Sequence, residues 1–124
     1  MNLVEVDARK CAFLREAAHE FPNVAVVQGR AEEQEKDRFG VAVAKALAPP
    51  PVAAEWCLPL VAPGGAAVLY VGPSADAAAV TRVSERLGGA QAEEISGLLV
   101  LHKLEPTPAG FPRRPGVAKR RPLA

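Results

Sequence analysis

Four short stretches of this sequence carry groups that could do chemistry. Glu5 ends the stretch Asn2-Leu3-Val4-Glu5-Val6. A carboxylate at a strand end accepts both hydroxyls of a vicinal diol, which an amide or a hydroxyl does more weakly. The same residue also reads as a solvated surface acid. Arg30-Ala31-Glu32 follows a second apolar run. A backbone N–H and a small side chain there can border an adenine ring; alternatively the segment is a solvated first helical turn, where Glu32 and Glu33 suit a helix N-terminus. Lys45 follows the apolar run Val41 to Ala44 and either points into a site or snorkels away from a sheet end. Near the C-terminus, Arg113, Arg114, Lys119, Arg120 and Arg121 place five cations within nine positions. Arginines contact phosphates and stack on bases, and proline holds such a segment extended. Against a solubilising tail, this concentration on an acidic body favours contact with a polyanion.

Composition bounds what else is possible. The 124 residues suit a single domain, and 49% apolar with 23% charged residues is globular rather than disordered. Aromatics are only 5%, so the core must be aliphatic. The net charge of +1 hides a split: residues 1–110 carry 10 basic and 14 acidic side chains, while residues 111–124 carry five basic and no acidic ones. Cys11 and Cys57 are too few and too far apart for a disulfide framework or a zinc site, and read as buried apolar groups of a reduced, cytoplasmic protein. Acidic residues precede any basic one at the N-terminus, against a signal peptide, and no apolar run approaches the ~20 residues of a membrane span. His19 and His102 lack partners for a triad or a metal, so no metal is expected and no catalytic side chain is assigned. The sequence contains neither a Walker motif nor a Gly-x-Gly-x-x-Gly loop.

The elements that must position these groups follow from periodicity and turn signals. Strands are expected at residues 2–6, 24–27, 41–44, 66–71, 92–95 and 98–103, with the third buried on both faces. Helices are expected over 8–20, stopped by Phe21-Pro22, over 52–60, ended by Pro63-Gly64-Gly65, and over 75–87, capped by Ser74. Residues 31–37 read as a charged helical turn or loop. Alternating strands and helices predict an α/β fold with a mostly parallel sheet, and the short link at Ser96-Gly97 makes the last two strands antiparallel to each other. In such sheets ligands bind at the strands' C-terminal ends, which is where Glu5, Arg30 to Glu32 and Lys45 fall.

The ordered set of residues resembles the ribosomal RNA small subunit methyltransferase G (GidB-type) family. The resemblance rests on Leu3-Val4-Glu5 with Arg9-Lys10 and Phe13-Leu14, then Asn23-Val24, Gly29-Arg30-Ala31-Glu32-Glu33 and Phe39. It continues through Ala44-Lys45-Ala46-Leu47-Ala48-Pro49, Leu58-Pro59-Leu60, Pro63-Gly64-Gly65 and Phe111-Pro112-Arg113-Arg114-Pro115-Gly116, and covers essentially the whole chain. It implies a Rossmann-like methyltransferase fold and S-adenosylmethionine-dependent methylation of a guanine N7 in 16S rRNA of the small ribosomal subunit. Carried over by position, Glu5 resembles the ribose-contacting acid, with Val6 and Asp7 beside it, Ala31 and Glu32 resemble the adenine-side contact, and Lys45 stands at the cofactor-site arginine. The basic segment would hold rRNA. The sequence departs from the family pattern in four places. The family's first strand and Gly-rich loop have no counterpart here, so the fold is expected to be truncated, with a partial methyltransferase domain over 1–105 and a basic Pro/Arg-rich tail over 106–124. Lys45 replaces Arg, Gly40 stands where many members have Asp, and Tyr70-Val71-Gly72 replaces a Leu-Lys-Gly-like segment. The alternative function is a non-enzymatic RNA-binding or assembly remnant that uses the tail.

Overall fold

The computed structural model describes residues 1–45 and 48–124. They form two compact units, Met1–Gln34 and Glu35–Ala124.

The first unit is a strand–helix–strand crossover. Strand β1 (Asn2–Glu5) pairs in parallel with β2 (Ala25–Gln28), in a register that sets Glu5 opposite Gln28. Two parallel strands need a crossover, and helix α1 (Ala8–Ala17) supplies it. Asp7 caps α1: its Oδ1 accepts from the backbone N–H of Arg9 at 2.8 Å and of Lys10 at 3.1 Å. Cys11 is the buried residue of the helix, and its thiol donates to the Glu5 carbonyl at 3.3 Å. The helix stops at Ala17, three residues before the expected Glu20. Tight turns, His19 N–H to Glu16 O and Phe21 N–H to Ala18 O, lead the chain into Pro22, which disfavours helix just before it.

The second unit is a four-stranded sheet in the order β3-β4-β6-β5. β3 (Phe39–Lys45) and β4 (Val61–Tyr70) are parallel; β6 (Leu98–His102) runs antiparallel to both β4 and β5 (Glu93–Ile95). Helices α2 (Pro50–Cys57) and α3 (Ala77–Arg86) cover it. The core is aliphatic as expected, with Leu58, Val61, Leu69, Val80, Leu87 and Leu101 almost wholly buried. Each such side chain contributes about 1.5–3 kcal/mol through burial.

Four local expectations are corrected here. β3 is not buried on both faces: it is an edge strand of this sheet, and Val41 and Val43 are 60% and 59% exposed while Ala44 on the opposite face is buried. α2 begins at Pro50 rather than Val52, because proline's fixed φ and missing N–H suit the first helical turn. It ends in a tight 3-10 turn, Leu58–Leu60, so no glycine caps it; Pro63, Gly64 and Gly65 instead lie within β4, where the pairing to β3 shifts register. α3 is capped by Asp76, whose carboxylate accepts from Ala79 N–H at 3.1 Å, and not by Ser74.

Residues 106–124 belong to the second unit. Thr107 and Ala118 are buried, Phe111 and Leu123 pack against the core, and residues Val117–Arg120 form a short helix, α4, led by Gly116 at φ +86°. A left-handed residue there is tolerable because glycine has no Cβ.

Candidate functional site

Glu5 is held by its own backbone. Its Oε2 accepts from Val6 N–H at 2.7 Å and from Asp7 N–H at 3.2 Å. A carboxylate offers about four lone-pair sites. Two are filled on Oε2, and Oε1 accepts from no described residue, which leaves it open to the two hydroxyls of a diol. Asp7 is turned to a different task, the α1 cap. Val6 stands between them with half of its surface exposed.

The parallel register brings the other predicted contact to the same end of the unit. Gly29 N–H donates to the Glu5 carbonyl at 2.9 Å, tying the two strand ends together. The chain then enters a 3-10 turn, Ala31–Glu33. Glu33 Oε1 accepts from Arg30 N–H at 3.2 Å, and Gln34 Nε2 donates to Arg30 O at 3.0 Å, so the turn carrying Ala31 and Glu32 is fixed from both sides. The parallel pair thus sets an acid with an unfilled carboxylate oxygen and a small-residue turn at its C-terminal end, groups and space of the kind an adenosine would need.

Lys45 is the last residue of β3, exposed, and paired in register with Tyr70. Its ammonium lies 5.9 Å from the Tyr70 ring centroid, a cation–π distance. Two of the departures from the family pattern, Lys45 and Tyr70, are thus one structural pair. The family-like residues Ala46 and Leu47 lie outside the described residues.

The basic segment divides in two. Arg113 is engaged: its Nε and Nη2 make a bidentate pair with the Glu55 carboxylate at 2.6 and 2.5 Å, and Nη2 also donates to Arg121 O at 2.8 Å. Those bonds raise the Arg113 pKa, against the opposing effect of burial, and keep the guanidinium charged. Arg114, Lys119, Arg120 and Arg121 are exposed.

Glu55 and Lys103 went unassigned in the sequence, though both carry a signal. Each is a single charge within or at the end of an apolar run, Val52-Ala53-Ala54-Glu55-Trp56-Cys57 and Leu98-Leu99-Val100-Leu101-His102-Lys103. A charge that such a run buries must find a partner. Cys57 is buried as expected, and burial pushes its thiol up to about 12, so it is no nucleophile. Among the described residues no helix is long and apolar enough to cross a membrane, and no three His, Cys, Asp or Glu side chains gather as a metal site.

Solved methyltransferases share this fold. The CMeT domain of the citrinin polyketide synthase matches 85% of this chain and 39% of its own at TM-score 0.66 and 10% identity. The CurJ carbon methyltransferase matches 84% of this chain and 41% of its own at TM-score 0.64 and 13% identity. The architecture is thus that of an α/β methyltransferase, part parallel and part antiparallel. The rRNA small subunit methyltransferase G family (GidB) matches residues 1–98, and the chain belongs to it. Ribosomal RNA small subunit methyltransferase G of Synechococcus sp. (strain JA-3-3Ab) is 35% identical over 98% of this chain and 54% of its own length. That of Moorella thermoacetica is 34% identical over 99% of this chain and 59% of its own. The chain thus spans somewhat over half the length of the curated relatives it matches.

Proposed function

We propose that this chain supplies the ribose- and adenine-binding part of an S-adenosylmethionine site, and the RNA-contacting C-terminal segment, of a methyltransferase that modifies a guanine N7 in 16S rRNA of the small ribosomal subunit. The observation that carries the reading is Glu5: a strand-end carboxylate with Oε2 fixed by two backbone N–H groups and Oε1 open, in a chain of this family. When bound, S-adenosylmethionine supplies an electrophilic methyl on a sulfonium. Glu5 would hold the ribose hydroxyls, Val6 and Asp7 would border them, and the Ala31–Glu32 turn would border the adenine. Lys45 is proposed separately, on its place in the family pattern alone, as a cofactor contact. Guanine N7 has a free lone pair, so no base need remove a proton; rate comes from holding nucleophile and methyl in line. This leaves the protein a task of orientation.

The test is a chimera in which these 124 residues replace the corresponding part of the Synechococcus relative. It is expected to form 7-methylguanosine in 16S rRNA of unmodified small subunits, read by mass spectrometry of digested rRNA. Glu5→Gln should lower the rate roughly tenfold or more, with the loss in the Michaelis constant for S-adenosylmethionine, since one charge-assisted hydrogen bond is worth about 1.5–3 kcal/mol. A folded chimera that forms no 7-methylguanosine overturns the reading.

A further inference from the structure

Three exposed arginines line one cavity of the second unit, and the fourth arginine of the segment, Arg113, bonds to the backbone of one of them. The cavity is open, about 480 Å³, and is lined by Arg114, Val117, Arg120 and Arg121. Among the described residues no acidic side chain lines it, and none of these three arginines forms an ion pair. Like charges gathered on one concave surface repel unless an anion sits between them, and a guanidinium fork matches the oxygens of a phosphate.

The arrangement is braced. Arg113 grips the buried Glu55 with two bonds and the Arg121 carbonyl with a third, which fixes the backbone at the cavity's edge. Arg120 Nε donates to Gly116 O at 3.3 Å, tethering that guanidinium across α4. Val117 adds an apolar patch against which a sugar can rest.

We infer that Arg114, Arg120 and Arg121 converge on a single phosphodiester of an RNA backbone, and that Arg113 is a positioning residue that shapes this cavity through Glu55 without touching the ligand. This rests on the reading of the C-terminal segment as an RNA contact. It narrows that reading from five equivalent cations to one built site.

The test is binding of a short fluorescein-labelled single-stranded RNA to the full chain, followed by anisotropy over a series of KCl concentrations. Arg114→Gln, Arg120→Gln and Arg121→Gln should each weaken binding roughly tenfold at low salt. The triple variant should flatten the slope of log affinity against log salt by about 0.7, the value for one phosphate on a single strand. Three arginines on three separate phosphates would flatten it by about 2. Glu55→Gln separates positioning from charge. It adds one unit of net positive charge, so charge counting alone calls for tighter binding, whereas loss of the brace calls for binding weakened roughly tenfold, with the same flattened slope. Should Glu55→Gln fail to fold by circular dichroism, Arg113→Lys keeps the net charge and one ion pair but loses the fork, and should show the same flattening. Inorganic phosphate at constant ionic strength should displace the RNA only weakly. Phosphate that binds to the cavity arginines while the RNA ignores them makes this a free-phosphate site and overturns the proposal. A slope change near 2, or a triple variant that binds as the unmodified chain does, overturns the single-phosphate site and leaves the RNA reading standing. An unmodified chain with no salt-dependent RNA binding overturns both.

Discussion

Lys103 has no exposed side-chain surface, and its amine nitrogen is fully enclosed by polar partners. Its ammonium donates to Asp37 Oδ1 and Leu58 O at 2.9 Å, Val61 O at 2.8 Å and Thr107 Oγ1 at 2.9 Å. Thr107 in turn donates its hydroxyl to Asp37 Oδ1 at 2.6 Å and its N–H to the same carboxylate. Burial alone would push the Asp37 carboxyl up, but the hydrogen bonds from Thr107 and Lys103, with the Lys103 charge, outweigh it and hold the pKa below the ordinary 3.8. A lowered folded-state pKa means that the ionised carboxylate stabilises the fold at neutral pH. That contribution is complete above the unfolded value and is lost as pH falls through the folded one. Asp37→Asn leaves Lys103 without its counter-charge and is expected to cost about 3 kcal/mol near pH 7 in urea melts. The gap between variant and unmodified protein should stay level down to about pH 5 and narrow below about pH 4. A gap of constant size down to pH 3 would show that the carboxylate's charge is not what matters. Arg113 and Glu55 follow the same physics at the other end of the segment, a buried acid answered by a fork of two hydrogen bonds.

Strand β4 is the element on which the second unit turns. It lies between β3 and β6, and its first half contains a register shift against β3 that admits Pro63-Gly64-Gly65. Gly65 is required there: a Cβ on it would lie 2.2 Å from the Gly40 carbonyl oxygen and 2.7 Å from Val61. Its backbone also accepts from Lys103 N–H at 2.8 Å, so the strand cannot move aside without loosening the lysine cage. Gly65→Ala should therefore destabilise by about 2–4 kcal/mol, through a backbone clash. Gly97→Ala is the comparison. Its φ is +80° but its Cβ would meet open space, so only conformational strain of about 1 kcal/mol is expected. Equal losses in thermal melts would contradict the contact with Gly40. Gly40 is itself one of the departures from the family pattern. The close pairing of Gly40 with Gly65 is the physical circumstance in which it sits.

At the scale of the whole molecule, the two units differ in what holds them. The second has an aliphatic core under two helices and two buried charge networks. The first has two four-residue strands, one helix and a single wholly buried side chain, Cys11. A two-stranded sheet is marginal in water on its own, and its local opening is correspondingly easy. Amide hydrogen exchange should show protection in β4 and β6 at least roughly 100-fold greater than in β1 and β2. Adding S-adenosylmethionine should slow exchange at Val6 and Asp7, whose N–H groups hold the Glu5 carboxylate, if that carboxylate binds the ribose. Uniform protection across both units would contradict the separation.

Much of this protein follows from local chemistry. The order of strands and helices, the antiparallel final pair, the aliphatic core and the strand-end placement of Glu5 and Lys45 were all legible, because periodicity, proline and glycine act within a few residues. So was the family, because its signature residues are spread along the chain in order. Three things were decided by tertiary contacts. β3 became an edge strand with Val41 and Val43 outward, since an apolar run does not reveal which neighbours its faces and edges will have. The glycines after α2 entered a strand instead of ending a helix, because the backbone of Lys103, just past β6, pairs with theirs. The segment read as a basic tail folded onto the second unit, because Arg113 answers the buried Glu55 58 residues away and Thr107 joins the buried pair of Lys103 with Asp37, itself 66 residues from the lysine. Partners at such separations leave no periodic trace in sequence. Only the folded chain shows that Arg113 answers Glu55 and that Arg114, Arg120 and Arg121 line one cavity.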